Sequence, residues 1–471
     1  MLYNSLQFLL FFIIVTILYW YIPNRMRWLL LLIASCYFYM AFVPIYILIL
    51  GFTIVIDYIA GIQIERAKNL RLRKSLLVIS LVANIGVLVF FKYFNFFNGT
   101  LDRLLSFSSA HTPLPYLNIL LPIGLSFHTF QAMSYTIEVY RGKYPAEKHF
   151  GIYALYVMFY PQLVAGPIER PQNVLWQFHM DHKYDFENMK AGLMQMAFGL
   201  FKKVVIADRL SAIIDKAYAD PQEQNGMTFL VVMILYSFQI YCDFSGYSDI
   251  GIGAARTMGY KLVDNFNMPY LSRSIGEFWS RWHMSLSTWF RDYLYIPLGG
   301  NRVKLSRKCA NLMIVFLISG LWHGANLTFI IWGALHGLFI ITENIKNALF
   351  AKSKSDPPAK GLPAILKTLW VFLLVSLAWV FFRSPNFSTA LTVLKKIFSR
   401  SLLSDFNYAI GSKPILIFSF LLIVFLLVKE YFYLVIPTKK NWVFYSLISI
   451  ILISCYLFGV FNSEQFIYFQ F

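Results

Sequence analysis

Polar and apolar positions along this chain sort into long blocks, not a fine alternation. Residues 5–22, 28–56, 75–91, 309–342, 368–382, 414–428 and 441–463 each contain no Asp, Glu, Lys or Arg. About 20 apolar residues in a helix cross the hydrocarbon core of a bilayer. Backbone groups in lipid must be satisfied within the segment, so these blocks predict transmembrane helices. The block 28–56 is too long for one crossing and predicts a turn, for which Pro44 is well placed. A transmembrane barrel would alternate apolar and polar residues, and these blocks do not. The middle of the chain, from about Tyr144 to Pro297, differs. It mixes Gly, Pro, His and charged residues among short apolar pieces, with Pro161, Gly166, Pro167 and Pro171 interrupting one of them. Such broken segments predict re-entrant or interfacial helices lining a cavity.

The predicted fold class is therefore all-α, a polytopic transmembrane helical bundle of about 11–13 membrane segments once re-entrant and interfacial helices are counted. Residues 1–471 read as one membrane domain, with N-terminal spans over 1–143, a core of broken helices over 144–349 and C-terminal spans over 364–471. Residues 352–363 (KSKSDPPAKGLP) read as a solvated cytoplasmic loop.

Composition agrees: 58% of residues are hydrophobic and 14% charged, against about 45–50% and about 25% in soluble chains. Tyr19, Trp20, Tyr21 and Trp28 stand at block ends, where interface anchors belong. The first block lacks a preceding basic region and a small-residue cleavage site, so it reads as a retained span and not a signal peptide. The net charge of +18 would suggest nucleic acid in a soluble protein. Here the basic residues sit in short loops: Arg25 and Arg27, the run 65–74, Arg141 and Lys143, then Arg302 to Lys308, Lys346 to Lys367, and Lys439 with Lys440. Recurring at every second crossing, they mark the cytoplasmic face of a multi-pass protein, exclude the nucleic-acid reading and put both termini outside. Lys395, Lys396, Arg400 and Lys413 run against this pattern unless they lie on an amphipathic surface helix. No internal repeat marks an inverted-repeat transporter.

Ionisable residues in a membrane domain are functional candidates by default. Residues 274–300 interleave Phe278, Trp279, Trp282, Trp289 and Phe290 with Glu277, Arg281, His283, Arg291 and Asp292. As one helix this segment would put Arg281, Ser285 and Thr288 on one face and Trp282, Leu286 and Trp289 on another, so an interfacial helix with snorkelling arginines also accounts for it. The second candidate is His323, in Gly320-Leu321-Trp322-His323-Gly324-Ala325-Asn326, inside the uncharged block 309–342. A helix entering at Lys308 would carry His323 roughly 20 Å into the core. Gly320, Gly324 and Asn326 suggest a local break there. Imidazole takes up a proton near neutral pH and suits removing one from a hydroxyl that attacks an activated acyl group. His336 and His128 read better as structural. No Gly-x-Ser-x-Gly elbow or paired cysteine indicates a covalent acyl-enzyme. Residues 251–256 (GIGAAR) miss the last glycine of the dinucleotide pattern. No cluster has metal-site spacing, and Cys36, Cys242, Cys309 and Cys455 read as packing residues.

Residues 161–170 (PQLVAGPIER), 241–249 (YCDFSGYSD), 265–270 (NFNMPY), 278–300, 320–337 and 466–471 (FIYFQF) together resemble the membrane-bound O-acyltransferase family, and within it the bacterial alginate O-acetyltransferase-like branch. One departure is Leu327, where the family often has Trp. The resemblance implies a helical bundle with a funnel and a tunnel meeting at a deep histidine, matched by His323, with the second family position falling on His283. It makes His323 the general base and His283 a supporting residue. Arg281, Arg291 and Asp292 would organise the surrounding loop, with Asp243, Tyr247 and Asn326 as weaker pocket candidates. It implies no bound cofactor or metal, and an acyl thioester, acetyl-CoA by expectation, as donor substrate. The acceptor would be an exported polysaccharide or cell-wall polymer in a bacterial inner membrane, reached directly or through an extracytoplasmic acetyltransferase partner. The similar D-alanyl transfer proteins of teichoic acid synthesis, which use a carrier-protein thioester, are the near alternative. A polytopic transporter and a non-catalytic scaffold are the distant ones.

Overall fold

The structure is a computed structural model, describing residues 1–106, 112, 114–117, 122, 124–164, 166–349, 361–432 and 440–461. The expected loop at 352–363 falls almost wholly outside the described residues, and the terminal motif 466–471 wholly so. Every regular element among the described residues is helical. Eight helices among the described residues are long and apolar enough to cross a membrane, and Leu6–Tyr21 is a shorter apolar helix. The turn expected at Pro44 is a short 3-10 segment between the helices Asn24–Met40 and Ile47–Arg66. The block 309–342 breaks as its glycines suggested, into Leu305–His323 and Leu327–Leu349.

The chain divides into two compact units. The first comprises Met1–Ala197, Tyr247–Val263 and Thr438–Phe444; the second comprises Phe198–Gly246, Asp264–Pro437 and Tyr445–Phe471. In the first, Asp57 ties three helices together. It accepts hydrogen bonds from Ser80 Oγ at 2.5 Å and Asn84 Nδ2 at 2.9 Å, and Ser80 Oγ also reaches Thr136 Oγ1 at 3.1 Å. An interhelical polar network of this kind is one way helices associate in lipid, where apolar burial alone supplies no preference. The basic loops of this unit lie at one end of its helices. Arg73 donates to the Tyr140 carbonyl at 2.8 Å, and Glu65 accepts from the Ala146 amide at 2.8 Å.

The middle of the chain consists in sequence of short apolar pieces, but residues 226–257 form one continuous helix, Gly226–Thr257. It contains no proline, and its glycines serve close packing rather than a break. A Cβ at Gly246 would stand 2.7 Å from the Gly199 carbonyl oxygen, and one at Gly253 would stand 2.6 Å from that of Gly192. In the second unit, Leu305–His323 and Leu327–Leu349 form an antiparallel hairpin pinned the same way. A Cβ at Gly320 would meet the Phe329 carbonyl oxygen at 2.3 Å, and one at Gly333 that of Phe316 at 2.3 Å. Of the discordant basic residues, Lys395 and Lys396 lie on the amphipathic helix Phe387–Ile397, which buries Ala390, Val393 and Ile397 and leaves Lys395 exposed, whereas Arg400 and Lys413 lie beyond it. Lys396 Nζ is turned inward onto the carbonyls of Gln222 and Gln224.

Candidate active site

His323 is the last residue of its helix and is buried at 4% exposure. Counting 1.5 Å per residue, it stands about 27 Å from Leu305, at the end of the hairpin away from the basic residues Arg302 to Lys308. Its ring packs edge-on against Trp332 at 5.0 Å, Phe382 at 5.3 Å and the adjacent Trp322 at 4.9 Å. Gly324 lets the chain turn there, because a Cβ would strike the Phe329 ring at 2.2 Å. Asn326 caps the next helix, accepting from the Thr328 amide at 3.1 Å and donating to the Pro385 carbonyl at 2.8 Å. It acts at the turn as a cap. Leu327, the departure noted above, is 51% exposed, so the wall beside His323 is built by Trp332 and Phe382 instead.

His283 is fully buried. The segment around it is two short helices, Ile275–Arg281 and Met284–Phe290, and not the single helix that its face pattern describes. The break is at His283 itself, whose φ of 43° lies in the left-handed region. Such a conformation is unfavourable for a non-glycine residue and is held only where the surroundings demand it. Asn265 supplies much of that demand. Its backbone carbonyl accepts from the Met284 amide at 2.9 Å, and its side-chain oxygen lies 3.0 Å from His283 Nδ1. The His283 ring also meets Phe244 at 4.7 Å and Trp322 at 6.2 Å. Trp322 therefore touches both candidate histidines. Burial pushes the His283 imidazole down to about 3, which keeps it neutral at ordinary pH.

His336 belongs to the same aromatic cluster. Its Nδ1 accepts from Trp279 Nε1 at 3.3 Å, and Trp332 packs on it at 5.0 Å. Trp332 also stacks on Trp379 at 5.6 Å, and Trp282 meets Trp379 at 5.1 Å. Aromatic pairs of this kind contribute about 0.5–1.5 kcal/mol each beyond burial, so the cluster is a rigid wall.

Beside this wall lies a cavity of about 350 Å³. Arg291, Tyr295 and Leu312 line one part of it; Trp279, Phe316 and Ser319 line another. From Leu312 to Ser319 it follows the His323 helix for about 10 Å, ending one turn short of His323.

The other candidates are placed as follows. Arg281 pairs with Glu277 at 2.7 Å, and Arg291 with Asp292 at 2.7 Å. Asp243 is buried against Lys203 at 2.7 Å, and Lys203 also holds Asp208 at 2.7 Å. Tyr247 lies in the first unit and donates to Asn4 Oδ1 at 2.9 Å. His323, His283, Arg281, Arg291, Asp292, Asp243 and Asn326 all belong to the second unit. Sequence reasoning missed Asn265, Trp279, Trp322 and Trp332 as parts of the site. The NFNMPY segment was the available signal for Asn265, but nothing in its spacing tied it to His283.

Comparison with known proteins matches residues 146–384 to the model of the membrane-bound O-acyltransferase family. The chain belongs to the membrane-bound O-acyltransferase family. It is a multi-pass membrane acyltransferase. Among its relatives is the probable alginate O-acetylase of Pseudomonas aeruginosa, 38% identical over 450 residues, covering 93% of this chain and 84% of the relative. The peptidoglycan O-acetyltransferase of Helicobacter pylori is 37% identical over 393 residues, covering 78% and 72%. The teichoic acid D-alanyltransferase of Streptococcus thermophilus is 30% identical over 264 residues, covering 53% and 63%.

Proposed function

We propose that this membrane-bound O-acyltransferase moves an acetyl group from a cytoplasmic thioester, acetyl-CoA, to a hydroxyl of an exported polysaccharide or cell-wall polymer, in a bacterial inner membrane. The observation that carries the reading is the cavity. It runs from Arg291 and Tyr295, near the basic end of the His323 helix, to Ser319, one turn from His323. The Arg291 guanidinium is exposed beside an apolar channel, and exchanging its Asp292 partner for a phosphate would suit a donor with a phosphorylated head and a thin thioester arm. The acceptor hydroxyl then approaches His323 from the hairpin turn.

In the reaction, His323 takes the proton of the acceptor hydroxyl as its oxygen forms a bond to the thioester carbonyl carbon. The carbon–sulfur bond breaks, and the departing thiolate receives the proton from the imidazolium. The products are an ester and a free thiol, so the histidine is regenerated. Neutral His283, across Trp322 from His323, supports the site by positioning. The basic loops mark the donor side as cytoplasmic and put both termini outside. An extracytoplasmic acetyltransferase relays the group where the polymer itself does not enter. Acetyl from acetyl-CoA is preferred over D-alanyl from a carrier, since the O-acetyl-transferring relatives match more of the chain at higher identity.

The test is His323→Ala in membranes with matched protein abundance, supplied in parallel with radiolabelled acetyl-CoA and a D-alanyl-charged carrier protein. Labelling from acetyl-CoA alone, falling about 10²–10⁴-fold in the variant, is expected for a lost general base. Undiminished transfer would remove His323 from the mechanism, and labelling from the carrier alone would replace the donor.

A further inference from the structure

The hydrogen bonds around Asn265 determine more than the shape of a loop. Its Oδ1 is approached by three groups: His283 Nδ1 at 3.0 Å, Ser285 Oγ at 2.9 Å and the Ser285 backbone N–H at 3.4 Å. A backbone N–H can only donate, so the atom facing it is the amide oxygen and not the amide nitrogen. That oxygen can only accept. His283 Nδ1 must therefore carry the proton, which in a neutral imidazole leaves Nε2 with the lone pair. The same residue fixes the backbone, since the Asn265 carbonyl accepts from Met284 N–H and the Asn267 amide donates to the Arg281 carbonyl at 2.9 Å. The strained φ of His283 is thus held from both sides by one short segment.

We propose that Asn265 is a positioning residue for acyl transfer, one that holds His283 in the Nδ1–H tautomer so that Nε2 is its hydrogen-bond-accepting nitrogen. The inference rests on the role given to His283 under the proposed function. An Nε2 lone pair in a buried neutral ring can receive a hydrogen bond from the acceptor hydroxyl or from a group that holds it. The opposite tautomer would present an N–H there and repel that donor. Partners that fix the tautomer of a working histidine are known to matter at this level in other sites.

On the elements packed against His283 the titratable groups are Tyr241, Cys242 and Asp243 around Phe244, Asp264 beside Asn265, and His323 beside Trp322; Arg281 and Glu277 lie on the preceding helix. Asp243 is engaged by Lys203, Tyr241 by Glu430 and Arg281 by Glu277. A new carboxylate at position 265 would therefore act on His283 most directly of all. An opposite charge within about 4–6 Å raises the pKa of an imidazole by about 1–3 units.

The experiment measures acetyl transfer from acetyl-CoA, from acidic to alkaline pH, in membranes bearing the full chain or Asn265→Asp, Asn265→Leu or the double variant Asn265→Asp/His283→Asn. Asn265→Asp keeps an acceptor for Nδ1 and for Ser285. It is expected to stay within threefold of the parent at alkaline pH and to lose rate as pH falls, with its acid limb moved up by about one unit or more. Asn265→Leu is expected to lose at least tenfold across the whole range at unchanged KM for acetyl-CoA. The double variant should lack the displaced limb. An Asn265→Asp profile that superposes on the parent, or one whose displacement survives in the double variant, would overturn the proposal, as would an Asn265→Leu protein of full activity. If His323→Ala stays active while the Asn265→Asp limb still moves, the general-base assignment fails and the positioning role stands.

Discussion

Replacing Gly333 with Ala should disable the enzyme without unfolding it. The added Cβ would stand 2.3 Å from the Phe316 carbonyl oxygen and 3.3 Å from Gly320 Cα, all backbone with no rotamer to yield. Comfortable contact begins near 3.4 Å, so the two arms of the hairpin must part by about 1 Å. Overpacking of this kind costs about 1–3 kcal/mol, which a helical bundle tolerates. A displacement of about 1 Å at a reacting group can cost on the order of 100-fold in rate, and the displaced arm ends at His323, ten residues back along the hairpin. Gly337→Ala is the matched control one turn further on. The nearest atoms to its Cβ are in the flexible Met313 side chain, at 3.0 Å, followed by the Phe316 Cβ at 3.4 Å. Acetyl transfer in membranes, read with thermal unfolding of the detergent-purified proteins, should give a loss of about 100-fold for Gly333→Ala and less than threefold for Gly337→Ala. Equal activities in the two variants would refute the claim that hairpin closure sets the position of His323.

Further outcomes follow from the same geometry. Ser319→Phe fills the end of the cavity nearest His323 and should raise KM for acetyl-CoA about tenfold or more, corresponding to about 1.4 kcal/mol of lost donor binding; an unchanged KM would place the donor elsewhere. Glu169 lies outside the spans, fully buried, accepting from the Val263 amide at 2.6 Å. Burial pushes its carboxyl up from the ordinary value of 4.5 to about 7. A raised folded-state pKa gives stability that is present below about pH 4.5 and is lost as pH rises through about 7. Glu169→Gln should therefore flatten the fall in unfolding temperature between mildly acidic and mildly alkaline buffer; a parallel fall in both proteins would contradict the assignment.

The blocks without charge gave the crossings, because a helix in lipid has no other way to satisfy its backbone, and the break at Gly324 and Asn326 was visible in residue type alone. The middle was harder to read. Gly246, Gly251 and Gly253 look like helix breakers in sequence, yet they permit backbone-to-backbone approach along Gly226–Thr257, and only the neighbouring element shows which role a glycine has. Regular helical spacing over 281–289 concealed the left-handed residue at His283, since nothing in a histidine announces a positive φ. His323 shares one uncharged block with His336 and was legible because the break at Gly324 and Asn326 beside it set it apart as the candidate. Asn265 was not, because its importance lies in a pairing across 18 residues. Tyr247 shares a motif with Asp243, four residues away on one helix, but the two side chains are bound in different units.

In the proposed mechanism, His323 promotes acyl transfer from donors on the basic-loop side to hydroxyls on the other. The most direct measurement uses purified protein in sealed vesicles of known orientation, with radiolabelled acetyl-CoA on one side only and a polyhydroxyl acceptor on the other. Label should reach the acceptor when the donor faces the basic loops, and should fall about 10²–10⁴-fold with His323→Asn. Transfer that is equal from either side, or equal with His323→Asn, would contradict the account.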